Sequence, residues 1–351
     1  MCAITSWRCY MAEFNYAKSK QKKDFADTVE MLQQMPKFVE YYFKANSIAL
    51  SASSQHSYMY DIYNFLKWWH SMLPELREQS LRDMTEAHIA LVTPNDILDY
   101  IVFMRNESDS ALSDTTIARR CASLNSLFSH LANFDVIPWN PMTKIQRPKV
   151  RKEKRIIKLD DHEVDRLFHS VLYGTGFTEH QQQYLRNTQA RDYAILTLLL
   201  SSGIRVSEMV GLNISDVSFQ NYRIQITRKG GKRQYIPLSD DTLQILQEYL
   251  ILRKQIKPSE PEDEDALFLS TQKTRMTTAA VQNMVKKYAR AAGIDKPITP
   301  HKLRKTYGTN LYKKTRDIYL VANALGHDSV NTTTNHYVAS DEEDLMRVRN
   351  L

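Results

Sequence analysis

One stretch governs what this chain can fold into. Across residues 138–158, Pro138, Pro141 and Pro148 forbid a continuous helix, and Lys144, Arg147, Lys149, Arg151, Lys152, Lys154, Arg155 and Lys158 have only Glu153 as a local counter-charge. A segment so charged has little to bury and is expected to stay exposed, as a basic linker between two separately folded parts. A length of 351 residues, more than one hydrophobic core usually serves, fits the same division. The expected organisation is an N-terminal extension over 1–26, a first domain over 27–137, the linker over 138–158 and a second domain over 159–351.

Before the linker the apolar pattern is helical throughout. Val29, Leu32, Phe38, Tyr41 and Tyr42 recur at helical spacing, interrupted at Pro36, and residues 54–69 place Tyr58, Ile62, Phe65, Leu66 and Trp69 on one face. Thr93 reads as an N-cap with Pro94 at the first helical position, opening a helix through Met104. Ser113 opens another, striped by Ile117, Leu124, Leu127, Phe128 and Leu131. The first domain is therefore expected to be all-α.

After the linker, helices are expected over 160–171, 191–201, 241–254, 277–292, 301–313 and 317–324, the second so apolar that it should be largely buried. Residues 174–187 read as a loop or insertion. Two short strands, 223–228 and 233–238, direct Ile224 and Ile226, then Ile236 and Leu238, toward one side, with Gly230-Gly231 as the turn. The fold class is mainly α: an all-α domain followed by a mostly α domain that carries a small antiparallel β-sheet.

Charge narrows the function classes. Residues 1–150 hold 16 basic and 16 acidic side chains, so the whole net charge of +7 lies in the remainder, 31 against 24. A pI near 9.1 with the excess in one half points to a polyanion partner, of which nucleic acid is the commonest, although a solvated basic surface accounts for the composition equally well. No run of 18 apolar residues exists, so no membrane span is expected. Residues 1–14 lack the apolar core of a signal peptide, Met11 is an alternative start, and Cys2, Cys9 and Cys121 are too few and scattered for a disulfide framework or a zinc site. A reducing cytoplasm fits. There is no GxxxxGK[ST] loop, so ATP is not expected, and no acidic cluster resembles a two-metal nuclease site.

Three separated pieces carry chemistry: Ser202-Gly203-Ile204-Arg205-Val206-Ser207-Glu208, Thr299-Pro300-His301-Lys302-Leu303-Arg304, and Leu325-Gly326-His327 with Tyr337 ten residues later. Each alone has an ordinary reading: a capping arginine, a chance helix-face pair, one tyrosine among nineteen. Their joint order and spacing resemble the active-site boxes of the tyrosine recombinase (phage integrase) family, and Arg228-Lys229-Gly230-Gly231-Lys232-Arg233 stands where that family places a hairpin lysine. More narrowly, Met35-Pro36 before Tyr41-Tyr42, the insertion before Arg191-Asp192, the basic hairpin and residues 300–304 are similar to the single-protein Xer recombinases of streptococci.

The chemistry suits those residue types. A phosphodiester attacked by a phenol passes through a pentacoordinate state with two charged non-bridging oxygens, and arginine forks bind such oxygens bidentately. Arg205 and Arg304 are expected to clamp them, with His301 and His327 donating further hydrogen bonds. In the family scheme Lys229 is the general acid for the leaving 5′-hydroxyl and Tyr337 the nucleophile. His301 is the expected proton acceptor, and Glu208 would orient Arg205 or His301. The resemblance further implies a two-domain clamp on double-stranded DNA bearing a specific recombination site, a homotetramer on two sites, a C-terminal helix over 341–348 exchanged with a neighbouring protomer, no cofactor and no metal. Arg119, Arg120, Lys149, Arg151, Lys152, Lys232, Lys273 and Arg275, with Lys286 and Lys287, are candidate DNA contacts. Lys305 replaces a common histidine, and the His327-to-Tyr337 spacing is one longer than in many Xer proteins but is shared by some mobile-element integrases. The role therefore stands between chromosome dimer resolution and mobile-element integration or excision. A type IB topoisomerase and a DNA-binding protein without activity are the rival readings.

Overall fold

The computed structural model describes residues 16–106, 112–146, 157–228 and 231–326. They divide into two compact units, one within Lys18–Lys152 and one made of the rest. Among the described residues no helix is long and apolar enough to cross a membrane.

The first unit is built from α1 (Tyr16–Leu32) from Lys18 onward, α2 (Lys37–Asn46), α3 (Ala52–Met72), α4 (Glu86–Ala90), α5 (Pro94–Asn106) and α6 (Asp114–Asn133). Short polar side chains set the helix starts. Ser51 and Ser113 accept from the backbone N–H of Ser54 and Thr116, and Thr93 donates through both its N and Oγ1 to Asp96 at 2.7 Å. The α3 and α6 stripes face each other, leaving Ile62, Phe65, Leu66, Leu124, Leu127 and Phe128 without exposed surface. Phe65 packs edge-on to both Tyr100 and Phe128, with centroids 5.1 and 5.8 Å apart. Tyr41 points outward while its neighbour Tyr42 is buried: adjacent helical residues lie about 100° apart, and this step carries Tyr41 onto the solvent side of α2.

Part of the expected linker belongs to this unit. Pro141 and Met142 are buried against its core within the 3-10 turn Pro141–Lys144, whereas Pro138, Trp139, Thr143 and Lys144 are exposed. Residues 147–156 lie outside the described residues.

The second unit contains α7 (Asp161–Tyr173), α8 (Glu179–Arg186), α9 (Gln189–Ser202), α10 (Val206–Val210), α11 (Asp240–Arg253), α12 (Thr278–Ala291), α13 (Pro300–Thr315) and α14 (Ile318–Leu325). Helix α9 is apolar on most sides because it is the centre: Ala194, Ile195, Leu196, Leu198 and Leu199 are fully buried, and α7, α11 and α13 pack around it. Strands β1 (Val217–Ser218), β2 (Arg223–Thr227) and β3 (Arg233–Pro237) form one antiparallel sheet in that order, with Ile224 opposite Ile236. Ile224, Ile226, Ile236 and Leu238 are buried against the helical core. Two expectations need correction. Residues 179–186 are helical rather than a loop, started by a reciprocal cap in which Thr178 and Gln181 each accept the other's backbone N–H. The hairpin also gains a third, two-residue strand, β1, too short to show a period of two.

Candidate active site

The site grows from the end of α9. Gly203 closes that helix in the left-handed conformation, with φ of +62°, and a Cβ there would fall 2.2 Å from the ring of Tyr307 on α13. The tight turn delivers buried Ile204 and then Arg205 at the N-cap of α10. The Arg205 N–H donates to Glu208 Oε2 at 2.8 Å, and its Nη1 donates to Glu208 Oε1 at 2.9 Å. One carboxylate thus caps the helix and holds the guanidinium. The Arg205 side chain remains 41% exposed, whereas that of Glu208 is 4% exposed.

Two further arginines converge on the same place. Arg304, one turn after His301 on α13, is buried; its Nη1 donates to the Gly203 carbonyl at 2.6 Å and its Nη2 to the Leu325 carbonyl. Arg228, the residue directly after β2, is also buried. Its Nη1 donates to both oxygens of Glu208 at 3.1 and 3.0 Å and to the Leu325 carbonyl at 3.2 Å. Its Nη2 reaches the Ala324 carbonyl at 3.2 Å and its Nε reaches Gln234 Oε1 at 2.8 Å. Arg205 Nη2 completes the arrangement on the Gly326 carbonyl at 3.2 Å. The C-terminus of α14 is therefore a hub on which three guanidiniums meet, and the negative end of a helix dipole favours cations there. Gly326 makes the close approach possible. Its φ is +59°, and a Cβ would lie 2.7 Å from Arg228 Cζ.

Three guanidiniums against one carboxylate leave two net positive charges, on groups held by that buried carboxylate and by backbone carbonyls. Such an arrangement is pre-organised for an anion whose charge grows during reaction. His301 lies exposed on the first turn of α13, and Lys305 on the same helix has its pKa lowered by burial and, secondarily, by Lys302. Among the described residues no group of three His, Cys, Asp or Glu side chains that could hold a metal occurs. Lys229, His327 and Tyr337 lie outside the described residues, as do Lys149, Arg151, Lys152 and the segment 341–348.

The expected DNA contacts divide. Lys232, Lys273 and Lys286 are exposed. Arg275 is corrected: it is buried, its Nη1 donates to the Val210 and Leu212 carbonyls at 3.1 and 2.9 Å, and its Nη2 donates to Asn213 Oδ1 at 2.7 Å, so it braces the α10 loop instead of facing solvent. Arg119 is committed to Asp61, a fully buried carboxylate that also accepts from Ser123 at 2.8 Å; Arg120 Nε lies 3.7 Å from the same group. Lys287 is 3.8 Å from buried Asp192, and burial lowers its pKa. Arg228 is the site residue that sequence reading missed. It sat inside a basic hairpin run, where a cation is normally solvated, and nothing local marks it as buried.

The chain resembles known proteins in sequence and in fold. Residues 158–344 match the phage integrase family. The chain is 30% identical over 345 residues to tyrosine recombinase XerS of Streptococcus agalactiae, covering 90% of this chain and 95% of that one. It is 29% identical over 340 residues to the XerS of Streptococcus thermophilus, covering 88% and 94%. Among solved structures, the XerH site-specific recombinase bound to palindromic difH substrate in a post-cleavage complex aligns with a TM-score of 0.65 at 21% identity, covering 95% of this chain and 89% of that one. The Tn1549 transposon integrase bound to circular intermediate DNA aligns at 0.63 and 19%, covering 90% and 99%. The chain belongs to the phage integrase, or tyrosine recombinase, family, whose members cleave and rejoin DNA. Within it, the chain is a Xer-like site-specific recombinase.

Proposed function

We propose that this chain recombines double-stranded DNA at a specific site through a covalent 3′-phosphotyrosine formed on Tyr337, and that it serves chromosome dimer resolution. The observation that carries the reading is the meeting of Arg205 and Arg304 at the α14 C-terminus, one residue before His327 in the chain. In this mechanism Tyr337 Oη attacks the scissile phosphorus, its proton passing to His301, while the bond from phosphorus to the 5′-oxygen breaks and Lys229 protonates the leaving hydroxyl. Arg205 and Arg304, with His301 and His327, stabilise the non-bridging oxygens as charge builds on them. Rejoining runs the same steps in reverse with a 5′-hydroxyl from the partner strand. The phosphoester energy is kept in the tyrosyl bond, so no nucleotide is consumed. Four protomers on two sites, with residues 341–348 exchanged between neighbours, would place the strands for exchange, and Lys149, Arg151, Lys152, Lys232 and Lys273 would contact phosphates.

The XerS relatives across almost the whole chain support the chromosomal role. The ten-residue step from His327 to Tyr337 favours a second reading, integration or excision of a mobile element with the same chemistry. A suicide substrate nicked beside the cleavage point tests the reaction. The wild-type chain should form a covalent protein–DNA adduct that disappears in Tyr337→Phe, and no adduct at saturating binding would refute the reading. Activity on any DNA sequence would point to a topoisomerase. Footprinting then separates the two biological roles, a single chromosomal site supporting dimer resolution and paired element ends supporting integration.

A further inference from the structure

Glu208 has more cation around it than orienting Arg205 requires. Its carboxylate is almost wholly buried and holds two guanidiniums, Arg205 at 2.9 Å and Arg228 at 3.0 Å. The two arginines differ in access, with side chains 41% and 8% exposed. Only Arg205 opens to solvent, where a phosphate would arrive. Arg228 is shut in, with Gln234 and the Ala324 and Leu325 carbonyls taking up its other donors.

We propose that Arg228 is a positioning residue for Arg205: it balances the charge of Glu208, so that this carboxylate can hold Arg205 in place without neutralising it. The proposal rests on the reading of Arg205 as a phosphate ligand. A buried carboxylate needs a counter-cation, and with Arg205 alone beside it the pair would be close to neutral and would offer a phosphate little field. With Arg228 supplying the balancing charge, Arg205 keeps one unit of positive charge for the developing oxyanion. The same guanidinium ties three elements together: Glu208 on α10, Gln234 on β3 and the α14 carbonyls. It therefore fixes where the Arg205 fork stands relative to the Gly326 carbonyl that it also binds.

The test is a charge-balance cycle on the full-length protein with the nicked suicide substrate, measuring DNA affinity and single-turnover cleavage separately. Arg228→Gln should bind DNA as the wild type does and cleave about 100-fold more slowly, the scale of loss expected when a catalytic group is displaced by a remote change. Adding Glu208→Gln to Arg228→Gln should recover part of that rate, because the unbalanced carboxylate is gone. A double variant no faster than Arg228→Gln overturns the proposal, as does wild-type cleavage by Arg228→Gln. Circular dichroism checks folding. If Arg228→Gln does not fold, Arg228→Lys decides, near-normal cleavage supporting charge balance and about a 100-fold loss refuting it. Absence of any wild-type adduct, or an adduct in Tyr337→Phe, would instead refute the phosphotyrosine reading.

Discussion

Substituting Gly326 by alanine tests the packing on which the arginine cluster depends. Gly326 has φ of +59°, and its Cβ would come 2.7 Å from Arg228 Cζ and 2.8 Å from Nε. Two costs follow. An L-residue in the left-handed region loses about 1–2 kcal/mol. The guanidinium must also retreat, weakening one of its charged hydrogen bonds at about 1.5–3 kcal/mol. Together they make about 2.5–5 kcal/mol for the second unit. Gly231→Ala is the control, because Gly231 also has positive φ, +81°, yet nothing lies within 4 Å of its would-be Cβ. It should cost only the backbone part, about 1–2 kcal/mol. The difference in urea midpoint between the two variants, with a slope of about 2 kcal/mol/M, is then about 1 M. Circular dichroism follows the unfolding. In a Trp7→Phe background, tryptophan fluorescence monitors the first unit, which contains Trp68, Trp69 and Trp139, and should be unchanged in both variants. A Gly326→Ala midpoint no lower than that of Gly231→Ala would show that Arg228 is not held where the cluster requires it.

Asp61→Ala should destabilise the first unit by about 3–5 kcal/mol, since it leaves Arg119, Arg120 and Ser123 around a lost buried carboxylate; tryptophan fluorescence in urea measures it. Asp160→Ala should cost about 1 kcal/mol at neutral pH by removing the cap of α7. The Glu163 N–H donating to Asp160 holds that carboxyl below its ordinary range, so the contribution is full above the ordinary carboxylate pKa and fades as pH falls through the depressed folded value. The wild-type and variant stabilities should therefore converge in acid, and parallel curves would contradict the cap. Lys273→Ala should lower the slope of log affinity against log salt by about 1, whereas Arg275→Ala should leave that slope alone and lower the urea midpoint. The opposite pattern in a DNA-binding titration would reverse the two assignments.

Much of the molecule was determined by local pattern. The stripes on α3 and α6, the caps at Ser113 and Asp160, the all-round apolar α9 and the two isoleucine strands depend on neighbours within a few residues, so periodicity and capping chemistry reveal them. The order of Arg205, His301 and Arg304 was equally plain, because it is a property of the chain. What tertiary structure alone decided is which charges are buried. Buried Arg228 and Arg275 look like exposed Arg119 in sequence, basic residues on polar faces or in a basic run. The fold then brings the Leu212 carbonyl to Arg275 from 63 residues away, and the Ala324 and Leu325 carbonyls to Arg228 from nearly 100. Burial of a charge is tolerable only where acceptors surround it, and many of those acceptors are backbone groups that every residue possesses and that carry no sequence signature. The chain announces the arginines; only its folding shows that Arg205 stays open while Arg228 is enclosed beside it.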